Sequence, residues 1–145
     1  MIYTPMTKKA LKLCFEAHKN QIDKTGMPYV FHPFHLAEQM DDEISTVCAL
    51  LHDVVEDSEM TLEGLSEMGF PEEVLEVLSL LTHAEGVPYM DYIREIKKNP
   101  IAIKVKLADL KHNSDLTRLD KVDKWAIKRN QKYKEALEIL TECQI

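Results

Sequence analysis

Four side chains that bind metals or transfer protons lie within six residues of the sequence, at His52, Asp53, Glu56 and Asp57. In one continuous helix, His52 would lie one turn before Glu56, and Asp53 one turn before Asp57. All four could then face a single cleft. The alternative is the solvated acidic end of a helix, but carboxylates there oppose the helix dipole and repel one another. Because a bound cation would relieve both problems, the segment favours a metal site.

Two further candidate ligands lie far from this segment in the sequence. His32 directly precedes Pro33, and Asp109 is a carboxylate within a lysine-rich predicted helix. Either residue alone would usually be structural, but with His52 and Asp53 they complete a set of two imidazoles and two carboxylates. Mixed nitrogen and oxygen ligands of this kind suit Mn²⁺, Fe²⁺ or Zn²⁺. Such a metal would keep positions open for water, lower the pKa of that water and polarise a phosphoryl oxygen.

The elements that must position these residues are predicted to be helices. The 145-residue chain has only 4 glycines and 6 prolines, which is few turn formers for a many-stranded β-fold. The alternation at Ile101–Val105 follows a proline and fits a helix start equally well. Helices are predicted from Thr4-Pro5, over Pro33–Met40, from Asp41 or Asp42 through Val54, from Thr61 to Gly69, over Glu72–Thr82 and Tyr89–Lys98, from Asn99-Pro100, and from Asp123 to about Thr141. We therefore expect an all-α fold in which residues 1–145 form one compact bundle of about eight or nine helices.

Charge is divided unequally between two parts of the chain. Residues 41–95 hold 15 acidic side chains and one basic one, whereas residues 97–134 hold 12 basic and 4 acidic ones. These parts either form solvated helix faces of opposite sign or bring a cation-binding part next to a phosphate-binding part. The net charge of −7 disfavours binding to a nucleic-acid polymer, which requires a basic footprint.

The sequence also predicts the compartment. The longest apolar run, Val47–Leu51, is far shorter than the ~18 residues of a membrane span, and the N-terminus lacks a signal-peptide pattern. The three cysteines, Cys14, Cys48 and Cys143, share no metal-ligand spacing, so we interpret them as reduced thiols. We expect a cytoplasmic protein with no membrane partner, and the sequence leaves its oligomeric state open.

The order of the motifs resembles a known family. The segments 18–33, 52–57 and 106–113 follow, in order, the hydrolase domain of RelA/SpoT-type alarmone enzymes, and they are similar to the stand-alone small alarmone hydrolases of the HD superfamily. The resemblance covers roughly residues 5–140. It implies an all-helical HD-type fold, usually with Mn²⁺, and removal of the 3′-pyrophosphate from the nucleotide (p)ppGpp.

The resemblance also implies a role for each matching residue. Glu56 and Asp57 would position and deprotonate the attacking water, and Lys24 and Asn113 would line the nucleotide site. The implied metal ligands are His32, His52, Asp53 and Asp109. We also assign Lys106 to substrate binding, as one of four candidate phosphate contacts for which a solvated basic face is the alternative: Lys104, Lys106, Lys111 and Arg118.

Two positions depart from the family pattern. The residue before Lys24 is typically an arginine that packs against guanine, and here it is Asp23; the residue after the metal aspartate is typically arginine, and here it is Leu110. A carboxylate cannot stack on a purine as a guanidinium can. Two alternatives therefore stay open. One is an HD phosphohydrolase acting on a different nucleotide or phosphate ester, and the other is a metal-binding module that senses a nucleotide without hydrolysing it.

Overall fold

The structure is a computed structural model that describes residues 1–142. Within those residues it contains nine α-helices, one short 3₁₀ helix and no strand beyond an isolated bridge between Ile22 and Pro28. The helices are α1 Pro5–His18, α2 Phe31–Glu38, α3 Glu43–Leu51, α4 Val54–Asp57, α5 Leu62–Glu67, α6 Glu72–Leu81, α7 Tyr89–Ile96, α8 Pro100–Asn113 and α9 Lys124–Thr141, with the 3₁₀ helix at Leu116–Arg118. The predicted all-α class is confirmed.

Most helices begin at the predicted cap residues. The side chains of Thr4, Asp42, Thr61, Asn99 and Asp123 each accept a hydrogen bond from a backbone amide in the first turn of the helix that follows. Such caps satisfy amides that have no partner within the helix, and each contributes about 1 kcal/mol.

The predicted helix through Val54 is wrong, because the chain breaks between α3 and α4. Asp53 has φ −110° and ψ 0°, which ends the regular helix. The cause is local: Nδ1 of His52 donates to the carbonyl oxygen of Ala49 at 2.7 Å. In a continuing helix, that carbonyl would instead accept from the amide of Asp53. The His52 side chain therefore pairs with a carbonyl that a continuing helix would pair with a backbone amide.

Helix α3 forms the centre of the core. Every residue from Ser45 to Leu51 is buried, and α3 packs against α1, α2, α6 and α8. Helix α8 also packs against α2, and α7 and α9 pack against each other and against α8. Because α2, α3 and α8 meet pairwise, residues near their contact points are brought together from three distant parts of the sequence.

The two cysteines within the described part of the chain are buried in this core. Cys14 and Cys48 are free thiols, and burial, with a smaller effect of the Asp53 charge, raises the pKa of Cys14 to about 12. A thiol with so high a pKa is a poor nucleophile. Cys143 lies outside the described residues. Among residues 1–142, no helix has both the length and the apolar character needed to cross a membrane.

Candidate metal centre and active site

Three predicted ligands converge where α2, α3 and α8 meet. His32 is the second residue of α2, His52 follows the last residue of α3, and Asp109 lies on α8. One ligand atom from each of the three lies within 4.8 Å of the other two, and all three side chains are buried. Nε2 of His32 is 2.7 Å from Oδ1 of Asp109, and Nε2 of His52 is 3.5 Å from the same oxygen.

The donor set fits a divalent cation. Because a carbonyl oxygen can only accept, Nδ1 of His52 carries a proton, and in the neutral ring Nε2 presents a lone pair. That nitrogen is buried and makes no aligned hydrogen bond, although it faces the carboxylates of Asp53 and Asp109. A lone pair and two carboxylates facing one another need a positive charge between them, supplied either by a proton or by a metal.

The pKa values of these residues also indicate that the cluster requires a positive charge. Burial alone would lower the pKa of His52, but the charge of Asp53 and hydrogen bonding to Asp109 and Asp53 raise it well above the usual value. Burial alone would raise the pKa of Asp109, but the Lys106 ammonium and the two histidines hold it well below the usual value. The metal-free cluster therefore keeps its carboxylates ionised and binds a proton at His52, which a divalent cation would replace.

The fourth predicted ligand, Asp53, lies beside the cluster. Its Oδ2 is 3.0 Å from Nε2 of His52 and accepts a hydrogen bond from the hydroxyl of Tyr29. The group of mutually close ligand atoms consists of His32, His52 and Asp109 and does not include Asp53. Asp53 is therefore adjacent to the other three, with its carboxylate held by Tyr29.

A second layer of side chains orients the ligands. Nδ1 of His32 is 2.6 Å from Nδ1 of His112, and the two rings stack. Burial, and then the charges of His32 and Arg118, lower the pKa of His112 to about 4, so this ring is neutral at pH 7. A neutral His112 can accept the Nδ1 proton of His32, which frees Nε2 of His32 for a metal.

Asp109 is held by two further donors. Nζ of Lys106 donates to Oδ2 at 2.8 Å, and Nδ2 of Asn113 donates to Oδ1 at 3.0 Å. Lys106 is only 13% exposed, and it does not line the cavity next to the cluster that is described below. The structure thus places Lys106 on a metal-ligand candidate, whereas the sequence analysis assigned it to the substrate.

The two predicted catalytic carboxylates follow the helix break on α4. Glu56 accepts from the backbone amide of His83, and the carbonyl of Asp57 accepts from Nε2 of Gln21 at 3.0 Å. The one-helix geometry that predicted their position is wrong, yet both remain close enough to Asp53 to experience its charge. Partial burial, and then the charge of Asp53, raise the pKa of each carboxyl group.

A cavity of about 340 Å³ lies next to the cluster. The predicted substrate-binding residues Lys24 and Asn113 both line it, and so does Tyr29, whose hydroxyl bonds to Asp53. Asn113 and Tyr29 thus line the cavity and also hydrogen-bond to the candidate ligands Asp109 and Asp53.

Several residues that line the cavity are not among the predicted site residues. Arg118 was considered only as a generic phosphate contact, and Arg129 and Tyr133 of α9 were not selected at all; all three line the cavity. Arg129 and Tyr133 are four residues apart and so share one helix face, which is the only signal in the sequence that could have found them. Of the other basic candidates, Lys104 pairs on the surface with Asp41 and Asp42.

The two departures from the family pattern have different surroundings. Leu110 is fully buried in the core and contributes nothing to the cavity. Asp23 lines the cavity and forms an ion pair with Arg118 at 3.2 Å.

Comparison with known proteins gives consistent relatives, although no family model matches the chain. It is 32% identical over 146 residues to the guanosine-3′,5′-bis(diphosphate) 3′-pyrophosphohydrolase MESH1 of Danio rerio, covering 91% of this chain and 80% of that protein. It is 33% identical to a probable GTP pyrophosphokinase of Mycobacterium leprae over 93% of this chain, and 31% identical to a guanosine-3′,5′-bis(diphosphate) 3′-pyrophosphohydrolase of Aquifex aeolicus over 88% of this chain. The chain spans less than a fifth of the length of these two bacterial relatives (18% and 19%).

A solved structure supports the same fold. A metazoan ortholog of SpoT, described as hydrolysing ppGpp, superposes with a TM-score of 0.76 at 21% sequence identity, covering 98% of this chain and 89% of that one. At this level of identity the likeness establishes the fold alone.

Proposed function

The chain belongs to the HD-type alarmone hydrolase family, and from that premise we propose that it removes the 3′-pyrophosphate of (p)ppGpp in a metal-dependent hydrolysis. The observation that carries the proposal is the convergence of His32, His52 and Asp109, with ligand atoms within 4.8 Å of one another, beside two carboxyl groups of raised pKa. We further propose that residues 1–145 form one hydrolase domain, and that it acts in the cytoplasm.

In this proposal His32, His52, Asp53 and Asp109 hold the divalent cation. Mn²⁺ is the preferred assignment because the family resemblance implies it, while the donor set itself suits Mn²⁺, Fe²⁺ or Zn²⁺. When bound, such a cation lowers the pKa of water and polarises a phosphoryl oxygen. Lys106 donates to Oδ2 of Asp109, whereas Oδ1 faces His32 and His52.

Glu56 and Asp57 act on the attacking water. A carboxylate whose pKa is raised towards neutrality is a better proton acceptor than an ordinary one. As the water oxygen bonds to the phosphorus next to the ribose 3′-oxygen, one carboxylate takes its proton. The bond from that phosphorus to the 3′-oxygen breaks, and the 3′-oxygen takes up a proton, giving pyrophosphate and a nucleotide with a free 3′-hydroxyl.

The cavity beside the cluster would hold the substrate. Lys24 and Arg129 line it, and burial, followed by repulsion from Arg129 and Lys132, lowers the pKa of Lys24. Cations that repel one another form a favourable site for the phosphates of a nucleotide.

The test is hydrolysis by protein purified without chelator. Wild type and the Glu56→Gln variant are incubated with ppGpp and Mn²⁺, Mg²⁺ or Zn²⁺, and pyrophosphate and GDP are quantified by chromatography. Asp41→Asn serves as the matched control, since Asp41 is an exposed carboxylate far from the cluster. We expect pyrophosphate release by wild type and Asp41→Asn, and strong loss in Glu56→Gln with metal content unchanged.

Other outcomes distinguish the alternatives. Release of phosphate or pyrophosphate from another nucleotide, with none from ppGpp, would reassign the chain to a different HD phosphohydrolase activity. Tight nucleotide binding without any product would favour the regulatory module.

A further inference from the structure

The cavity beside the metal cluster has two chemically different parts. Lys24 and Arg129 are both cationic, and after burial it is repulsion from Arg129 that lowers the pKa of Lys24. Arg118 lies in the same cavity wall but is paired with a carboxylate, Asp23. Uncompensated positive charge suits phosphate, whereas a neutralised guanidinium is poorly suited to it.

Arg118 is held by both of its terminal nitrogens. Nη1 donates to the carbonyl oxygen of His112 at 2.8 Å, and Nη2 donates to Oδ2 of Asp23 at 3.2 Å. Because the N–H bonds of a guanidinium lie in its plane, these partners occupy its edges and leave its faces uncovered by them. The side chain is 21% exposed, and it lines both the cavity beside the metal cluster and a second one of about 310 Å³ beside Phe31 and His35.

Asp23 is itself fully engaged. Its Oδ1 accepts from the amide and hydroxyl of Thr25 and from the amide of Met27, which closes the turn that carries Lys24. Its Oδ2 accepts from Arg118. The carboxylate therefore fixes the turn and the guanidinium together.

We infer that Arg118 is the residue that binds the base: the purine of the substrate stacks on its clamped guanidinium face, while the phosphates bind at Lys24 and Arg129. A planar guanidinium stacks on aromatic rings, which an ammonium group cannot do in the same way. Asp23, where the family pattern has an arginine, then serves to orient this plane. The inference rests on the proposed nucleotide substrate and names the residue that binds its base.

The test compares a ligand that has a base with one that lacks it. Binding of ppGpp and of inorganic pyrophosphate is measured by calorimetry for Arg118→Ala and Arg118→Lys, in a Glu56→Gln background that prevents turnover. Arg94→Ala is the matched control, because Arg94 is also paired with a carboxylate, Asp91, but lies outside the cavity. Thermal unfolding of each variant accompanies the binding data.

Both Arg118 variants should bind ppGpp about 5- to 150-fold more weakly than the parent, the range for loss of one base stacking contact. Both should bind pyrophosphate within about twofold of the parent, and Arg94→Ala should match the parent for both ligands. Pyrophosphate also reports on folding, since a collapsed turn at Lys24 would weaken its binding too.

Three results would overturn the inference. If Arg118→Lys restored ppGpp binding, the role of Arg118 would be its charge. Equal weakening of pyrophosphate would make the residue a phosphate contact or a structural one, and unchanged ppGpp binding would remove it from the site. Hydrolysis of ppGpp is measured separately with wild-type protein, which retains Glu56. If wild type does not hydrolyse ppGpp but ppGpp binding still depends on Arg118, only the proposed function is refuted.

Discussion

Replacing Lys106 with methionine should destabilise the metal-free protein and, at the same time, strengthen its response to metal. Nζ of Lys106 lies 2.8 Å from Oδ2 of Asp109, and the two side chains are only 13% and 7% exposed. Methionine keeps the length and the apolar stem of lysine but removes the charge. Asp109 would then remain buried as a carboxylate with one strong donor fewer.

The size of the effect follows from this burial. Breaking a buried ion pair by removing one partner costs about 3–5 kcal/mol. For a domain of this length 1 kcal/mol corresponds to roughly 3 °C in melting temperature, so the chelator-treated variant should melt about 10–15 °C below wild type. The affinity for a divalent cation should rise in the variant, because the variant lacks an ammonium group that repels a cation near Asp109.

The assay is thermal unfolding of chelator-treated protein with and without Mn²⁺ or Zn²⁺. Lys104→Met is the matched control, since Lys104 lies two residues away and pairs with Asp41 at the surface, where solvent screens the interaction. The reasoning is refuted if the chelator-treated Lys106→Met variant has the same melting temperature as Lys104→Met. It is equally refuted if metal raises the melting temperature of the variant by no more than that of wild type.

Three further predictions concern the neighbouring residues. Asp53→Ala should lose both bound metal and stability, because the remaining ligands stay crowded; equal metal content by elemental analysis would contradict this. Tyr29→Phe releases the Asp53 carboxylate and should weaken metal binding by about 1.5–3 kcal/mol, the value of a hydrogen bond to a charged group, with unchanged affinity as the contrary result. Burial and neighbouring charge raise the pKa of Glu56 and Asp57, and the base must be ionised, so kcat/KM should rise with pH along a limb above the ordinary carboxyl pKa of about 4. An acid limb at or below that value would show that neither carboxylate is the base.

The sequence predicted which ligand types would meet, but not how the chain turns between them. His32, His52 and Asp109 could be chosen because, with Asp53, they complete a set of two imidazoles and two carboxylates in the order that the family resemblance implies. The helix break at His52 could not be predicted, since it depends on a side-chain bond to the carbonyl of Ala49 that competes with an ordinary helical bond. Periodicity describes a continuing helix and carries no information on such a competition.

Lys106 and Arg118 each have a partner that the sequence did not reveal. Both were interpreted from their charge alone, as phosphate contacts or solvated residues. In the structure, Lys106 pairs with Asp109, which is near it in the sequence, and Arg118 pairs with Asp23, which is distant. A cation that is neutralised by a carboxylate is less available to bind phosphate.

The uneven distribution of charge along the sequence is reflected in the structure. The two interpretations of that asymmetry, solvated faces or a cation site facing a phosphate site, both have support. Lys104 and Asp41 form a surface pair between the two parts, as the first interpretation expects. At the centre, the acidic part supplies Asp53, and the basic part supplies Lys106 and the cavity residue Arg129. The proposed site, which would bind a metal cation and a polyphosphate next to each other, needs both signs of charge side by side, and the structure brings them together from the two parts of the chain.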